Sequence, residues 1–129
     1  MILDTSAIAA VLFDEPEAPL FARIISEAES CLVSAATFVE VCIIVEARTG
    51  DAGSRAWDAF FRAAGIVVEP ITEEHARTAA QAWSKYGKGR HRAGLNFGDC
   101  FSYALARCTD GALLFKGSDF RQTDVEAAL

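Results

Sequence analysis

The chain has 129 residues, 52% hydrophobic and 23% charged, which suits one self-folding domain able to bury about two-thirds of its unfolded surface. That composition excludes a disordered tail, a collagen-like fibre and a disulfide-dense mini-protein. Twelve Lys+Arg against eighteen Asp+Glu leave a net charge of −6, so there is no broad basic face for packaging DNA or RNA, and any nucleic-acid contact must be local or helped by metal ions.

Residues 1–3 form an apolar run closed by Asp4 and read as a buried strand. Thr5 and Ser6 can cap a helix running through Phe13, after which Asp14-Glu15-Pro16 restarts the chain. Leu20, Phe21, Ile24 and Ile25 recur at helical spacing and carry a second helix to about Ala28. Cys31–Ser34 reads as the second strand. A very apolar helix is expected over residues 37–48, ended by Gly50, with a further helix from Asp51 that turns Trp57, Phe60 and Phe61 inward. Residues 66–70 are β-branched and closed by proline, the clearest strand signal in the chain. Thr72, followed by Glu73 and Glu74, opens a helix that ends at Gly87. A Gly-rich, basic loop over 87–95 leads to a helix from Asn96 to about Cys108, and residues 112–115 form a fourth strand before a polar tail with a weak apolar stretch at 125–129. Strands alternating with helices predict a single α/β domain over residues 1–129, with a mostly parallel sheet of four to five strands flanked by helices.

Cys31, Cys42, Cys100 and Cys108 form no C-x-x-C pair, so zinc is not indicated. Three of them sit among apolar neighbours, as small buried hydrophobes do. Reduced thiols, no signal peptide and no membrane-length apolar run predict a cytoplasmic protein with no membrane partner.

In such sheets, sites form beyond the carboxyl ends of the strands, near a switch point. Four acids stand there: Asp4 after strand one, Glu40 in the first turn after strand two, Asp99 in the first turn after the basic loop, and Asp119 after strand four. Each has a bland reading. Thr37-x-x-Glu40 and Asn96-x-x-Asp99 fit capping boxes, Asp4 could accept the amides of the next helix, and Asp119 could be a turn residue. Convergence favours function, because a cap needs no second carboxylate beside it and like charges repel unless a cation lies between them. Oxygen-only ligands suit Mg²⁺ or Mn²⁺, which can acidify water and neutralise a phosphodiester.

Residues 85–92 hold four of the twelve Lys+Arg. Lys88, Arg90 and Arg92 could grip phosphate there, against the alternative of a solvated loop balancing local charge. His91 and His75 are assigned no catalytic role, and Trp57, Phe60, Phe61 and Trp83 are expected in the core or at a subunit contact.

Ile2-Leu3-Asp4-Thr5-Ser6-Ala7, Glu40 in its apolar helix, Gly87-Lys88-Gly89-Arg90-His91 leading into Leu95-Asn96-Phe97-Gly98-Asp99-Cys100, and Leu113-Leu114-Phe115-Lys116-Gly117-Ser118-Asp119-Phe120 together resemble a PIN domain. More narrowly they resemble the VapC toxins of bacterial toxin–antitoxin pairs. The resemblance covers essentially the whole chain, and the Asn-Phe-Gly-Asp-Cys block is its specific part. It implies a Mg²⁺- or Mn²⁺-dependent endoribonuclease with Asp4, Glu40, Asp99 and Asp119 as its acidic quartet. It also implies that Ser6 orients Asp4, metal water or phosphate. Implied partners are RNA, a second copy in a homodimer, and a small antitoxin with a DNA-binding domain. One departure stands out: many members have threonine or serine after the fourth strand, where this chain has Phe115-Lys116, and Asp124 competes with Asp119 as the fourth acid. Rival readings are a phosphohydrolase or phospho-acceptor domain and a non-catalytic binding module. The dehalogenase type of phosphohydrolase needs a second aspartate two residues after the first, where this chain has Ser6.

Overall fold

In the computed structural model, which describes residues 1–129, strands and helices alternate as the sequence pattern predicts. The order is β1 (Ile2–Leu3), α1 (Thr5–Leu12), α2 (Ala18–Glu27), β2 (Cys31–Ser34), α3 (Ala35–Ala63), β3 (Ile66–Glu69), α4 (Glu73–Tyr86), α5 (Phe97–Thr109) and β4 (Leu113–Leu114), followed by a 3-10 turn at Phe120–Gln122. All strands are parallel, in the spatial order β3-β2-β1-β4. The chain builds outward from β1 to β2 and β3, then returns to place β4 on the other side of β1. That reversal creates a switch point between β1 and β4.

The period of two along a strand divides the core into two layers. Ile2 and Leu113 pack with α4 and α5, among Ala79, Tyr86, Leu95, Tyr103 and Leu105. Their neighbours Leu3 and Leu114 face the opposite layer, with Val33 and with Ile8, Phe21, Val41, Val45 and Trp57 from α1–α3. Two-residue strands suffice because all four of these side chains are essentially fully buried.

Several boundaries differ from expectation, each for a local reason. The helices predicted on either side of Gly50 do break there, at a kink where Gly50 adopts φ 60° and ψ −150°, and they are numbered together as α3. Trp57, beyond the bend, packs back against Phe38, and its i+4 neighbour Phe61 joins them. No Thr37–Glu40 capping box forms: β2 runs straight into α3, and Ser34 caps it by accepting from the Ala36 amide at 3.3 Å. Glu40 therefore lies in the second turn. Asp4 itself, rather than Thr5 or Ser6, caps α1. The fourth strand is shorter than predicted because Phe115 packs on Phe120 instead. The tail adds a single parallel bridge, Leu113 to Ala127, in place of a fifth strand. All four cysteines are free, with Cys31 and Cys100 buried, and no helix is long and apolar enough to cross a membrane.

Candidate active site

Asp4 leaves β1 beside the end of β4, its amide donating to the Leu114 carbonyl at 3.0 Å. The residue is only 3% exposed. Its Oδ2 accepts from the Ser6 amide at 2.9 Å and from the Ser6 hydroxyl at 2.6 Å, which leaves Oδ1 without a protein partner. Ser6 Oγ in turn accepts from the Lys116 amide at 3.0 Å. Two strand ends thus hold one carboxylate. The position where the resemblance expects Thr or Ser needs only a backbone N–H for this purpose. That leaves the Lys116 side chain free to clamp the α1–α2 loop, and its Nζ pairs with Glu15 at 2.5 Å and Glu17 at 3.0 Å.

Asp99 comes from the start of α5. Asn96 and Asp99 form the predicted capping box, with Asn96 Oδ1 accepting from the Asp99 amide at 2.8 Å and Asp99 Oδ2 from the Asn96 amide at 2.9 Å. The cap and the site are therefore the same residue, and Oδ1 of Asp99 again has no protein partner.

Glu40 reaches α5 from α3. A buried hydrogen bond between the Thr37 and Ser102 hydroxyls, 3.1 Å, ties the two helices together. The Glu40 carboxylate then rests on Gly98: a Cβ added there would overlap Oε2 and stand 2.9 Å from Cδ. Glycine is a weaker helix former than alanine, because it loses more backbone freedom on folding. Room for Glu40 is the reason to have it.

Asp4, Glu40 and Asp99 line one open cleft of about 260 Å³, together with Thr5, Ser6, Glu15, Asn96 and Arg48. Burial pushes the Asp99 carboxyl up to about 7; the Asn96 amide opposes the rise, and the charges of Asp4, Glu40 and Asp119 add to it. Glu40 is also raised, first by burial and then by Asp4, with the nearby Thr5 hydroxyl acting in the opposite direction. Asp119 is exposed at the head of the 3-10 turn and does not line the cleft, yet its charge is felt at Asp99. Asp124 belongs elsewhere: it accepts from the Tyr103 hydroxyl at 2.7 Å and pairs loosely with Lys85 at 3.8 Å.

The donors are all oxygens, and burial and neighbouring charge raise Glu40 and Asp99, which is the chemistry that suits a hard cation. The tight gathering of four acids expected from sequence is not reached, and no three of them form a ready ligand cluster. Like charges keep apart, and the fourth acid sits on an exposed turn.

The basic loop is ordered by its own backbone, with Lys88 N–H donating to Leu95 and Leu95 N–H to Tyr86. Lys88, Arg90 and Arg92 are exposed, and none lines the cleft. Arg90 lies 4.5 Å over the Trp83 ring, so Trp83, at 42% exposure, is its platform rather than core. Trp57, at 2%, is core as expected. His91 accepts from the Ala93 amide through Nδ1, a turn-forming contact. Sequence reasoning missed Gly98, Glu15 and Arg48. A glycine inside a helical first turn and an arginine eight residues after Glu40 were the available signals.

Residues 1–126 match the PIN domain family. "Ribonuclease VapC" of Mycolicibacterium smegmatis is 45% identical over 127 residues, covering 98% of each protein. Among solved structures, VapC20 of Mycobacterium tuberculosis, described as a sarcin–ricin loop cleaving toxin, superposes with a TM-score of 0.77 at 20% identity, over 96% of this chain and 95% of that one. VapBC2 from Rickettsia felis, bound to a DNA fragment from its promoter, gives 0.76 at 10% identity, over 98% and 95%. A sequence likeness this deep, carried along nearly the whole length, means that the chain belongs to the PIN-domain family, within its VapC group.

Proposed function

We propose that the protein is a Mg²⁺- or Mn²⁺-dependent endoribonuclease that hydrolyses RNA phosphodiester bonds as the toxin of a toxin–antitoxin pair. One observation carries the reading: Asp4, Glu40 and Asp99, from segments far apart in sequence, line the same cleft. Capping alone accounts for Asp4 and Asp99 singly; it does not account for their sharing a cleft with a carboxylate two turns into another helix. The ribonuclease names of relatives sharing nearly half their residues support the activity, as does the solved toxin of the same fold.

In this reading Asp4 and Asp99 would hold the principal cation, with Glu40 and Asp119 assisting or holding a second ion. Such an ion would supply charge neutralisation at a phosphodiester oxygen and a lowered pKa for water. The chain's own residues do the rest. Ser6 keeps Asp4 in one orientation, with Oδ2 occupied. The Asn96 cap keeps Asp99 in place, and Gly98 leaves space for Glu40. Lys88, Arg90 and Arg92, exposed on the loop that feeds into Asn96, steer RNA toward the rim.

The proposed partners are RNA, a small antitoxin with a DNA-binding domain, and a second copy in a homodimer, all in the cytoplasm. The antitoxin is supported by a neighbour of the same fold that is a VapBC complex on promoter DNA. The test is titration of wild-type protein with Mn²⁺ by calorimetry, alongside cleavage of total RNA with and without chelator. Heat of binding, chelator-sensitive cleavage and loss of both in Asp99→Asn are expected; full activity in chelator overturns the reading.

A further inference from the structure

The cleft is acidic at one end and carries a single cation at the other. Glu40, Ile44 and Arg48 follow one another at i, i+4 and i+8 along α3, and all three line it. Helical rise puts the Arg48 backbone roughly 12 Å beyond that of Glu40, at the far end of the same face. Arg48 is the only basic residue lining the cleft, which also holds Asp4, Glu15, Glu40 and Asp99.

An arginine in such company would ordinarily pair with a carboxylate. Arg48 does not: it enters no ion pair and donates no hydrogen bond within the protein. Two features account for this. Glu15 is already held by Lys116 at 2.5 Å. The Arg48 guanidinium itself lies 4.6 Å over the ring of Phe13, the C-cap of α1. Stacking uses the flat face of a guanidinium and leaves its in-plane N–H groups available to an anion. Arg48 is thus an exposed cation with unused donors, resting on Phe13 and set apart from the acids along α3.

We propose that Arg48 is a phosphate-binding residue that holds an RNA phosphate away from the scissile one. A phosphodiester strand lying along α3 then meets the acids at the bond to be cut and the guanidinium at a neighbouring phosphate. This gives the cleft a direction and a minimum substrate length, which the basic loop outside it does not. The proposal rests on the nuclease reading above.

The experiment measures binding of a single-stranded RNA oligonucleotide to full-length protein by fluorescence anisotropy across salt concentrations, in an Asp99→Asn background that prevents cleavage. Adding Arg48→Ala is expected to weaken binding about tenfold and to reduce the slope of log K against log salt by roughly 0.7, the value for one phosphate on a single strand. Arg48→Lys should keep most of the slope, because charge is retained, while losing part of the affinity. Phe13→Leu should weaken binding in the same direction, since the stack positions the guanidinium. In otherwise wild-type protein, Arg48→Ala should raise KM more than it lowers kcat on a long substrate, with less effect on the shortest RNA that is still cut. Arg48→Gln keeps the aliphatic stem and serves if the alanine variant fails to fold. RNA bound and cleaved by wild type, with affinity and salt slope unchanged in Arg48→Ala, overturns this inference alone. A lost affinity with an unchanged slope overturns it too, by showing a structural effect. Wild-type protein that neither binds nor cleaves RNA overturns the nuclease reading and this inference with it.

Discussion

Two acidic neighbourhoods lie side by side on one rim and are treated in opposite ways. Glu15 and Glu17 share the Lys116 ammonium, and the Glu17 carboxyl is held below its ordinary range, first by its hydrogen bond to that lysine. Asp4, Glu40 and Asp99 have no basic partner, and burial and mutual repulsion raise Glu40 and Asp99 instead. One chain thus gives a lysine to the acids of the α1–α2 loop, Glu15 at the cleft edge among them, and gives no basic partner to Asp4, Glu40 and Asp99.

Asp99→Asn should break this contrast most sharply. Cleavage is expected to fall by on the order of 10³-fold, since a ligand and a charge are lost at the reacting centre. Stability should move the other way. With its carboxyl raised to about 7, folded Asp99 binds its proton more tightly than the unfolded chain does. The Asp99 contribution to wild-type stability therefore falls as pH rises from about 4 to about 7 and is flat above. Allowing for partial exposure, Asp99→Asn should gain about 1–3 kcal/mol at neutral pH and little near pH 4. Denaturant titrations of metal-free protein at the two pH values check the sign.

Gly98→Ala should come next, because its Cβ would displace the Glu40 carboxylate. Activity is expected to drop by about 10–100-fold and Mn²⁺ affinity to weaken, small displacements being costly at a reacting centre. Adding Glu40→Asp, harmful on its own, should recover part of the loss because the shorter acid clears the new methyl. A double variant no better than Gly98→Ala would sink the steric account.

Thr37→Val leaves the buried Ser102 hydroxyl without its partner. Unfolding free energy should fall by about 1–2 kcal/mol. Cleavage should decline as well, since this bond holds the helix of Glu40 to that of Asp99. The smallest effect belongs to Lys116→Met, where the paired side chains are about one-third exposed. The loss should be small and should shrink in high salt, as a thermal melt at two ionic strengths will show.

Much of the fold was legible because its signals are local. The short apolar runs at Ile2–Leu3, Cys31–Ser34 and Ile66–Glu69 become strands, and the Asn96–Asp99 capping box forms as the spacing predicts. The Thr37–Glu40 box was not, because capping propensity is blind to a strand that runs unbroken into a helix; Thr37 braces α5 instead. At the cleft, Asp4, Glu40 and Asp99 could be named from their places after strand ends. Arg48 could not, since only the stack on Phe13 and the diversion of Glu15 to Lys116 separate it from any solvated arginine.

Sequence alone determined the class of fold and singled out the candidate acids, because periodicity and caps are properties of short stretches of chain. Tertiary structure decided which acids meet. Asp119 is kept at the edge, Asp124 is drawn to Tyr103, and Glu40 is seated on Gly98. Those outcomes depend on how α3 and α5 pack across the sheet, and distances between segments far apart in the chain are set by packing that no local pattern encodes.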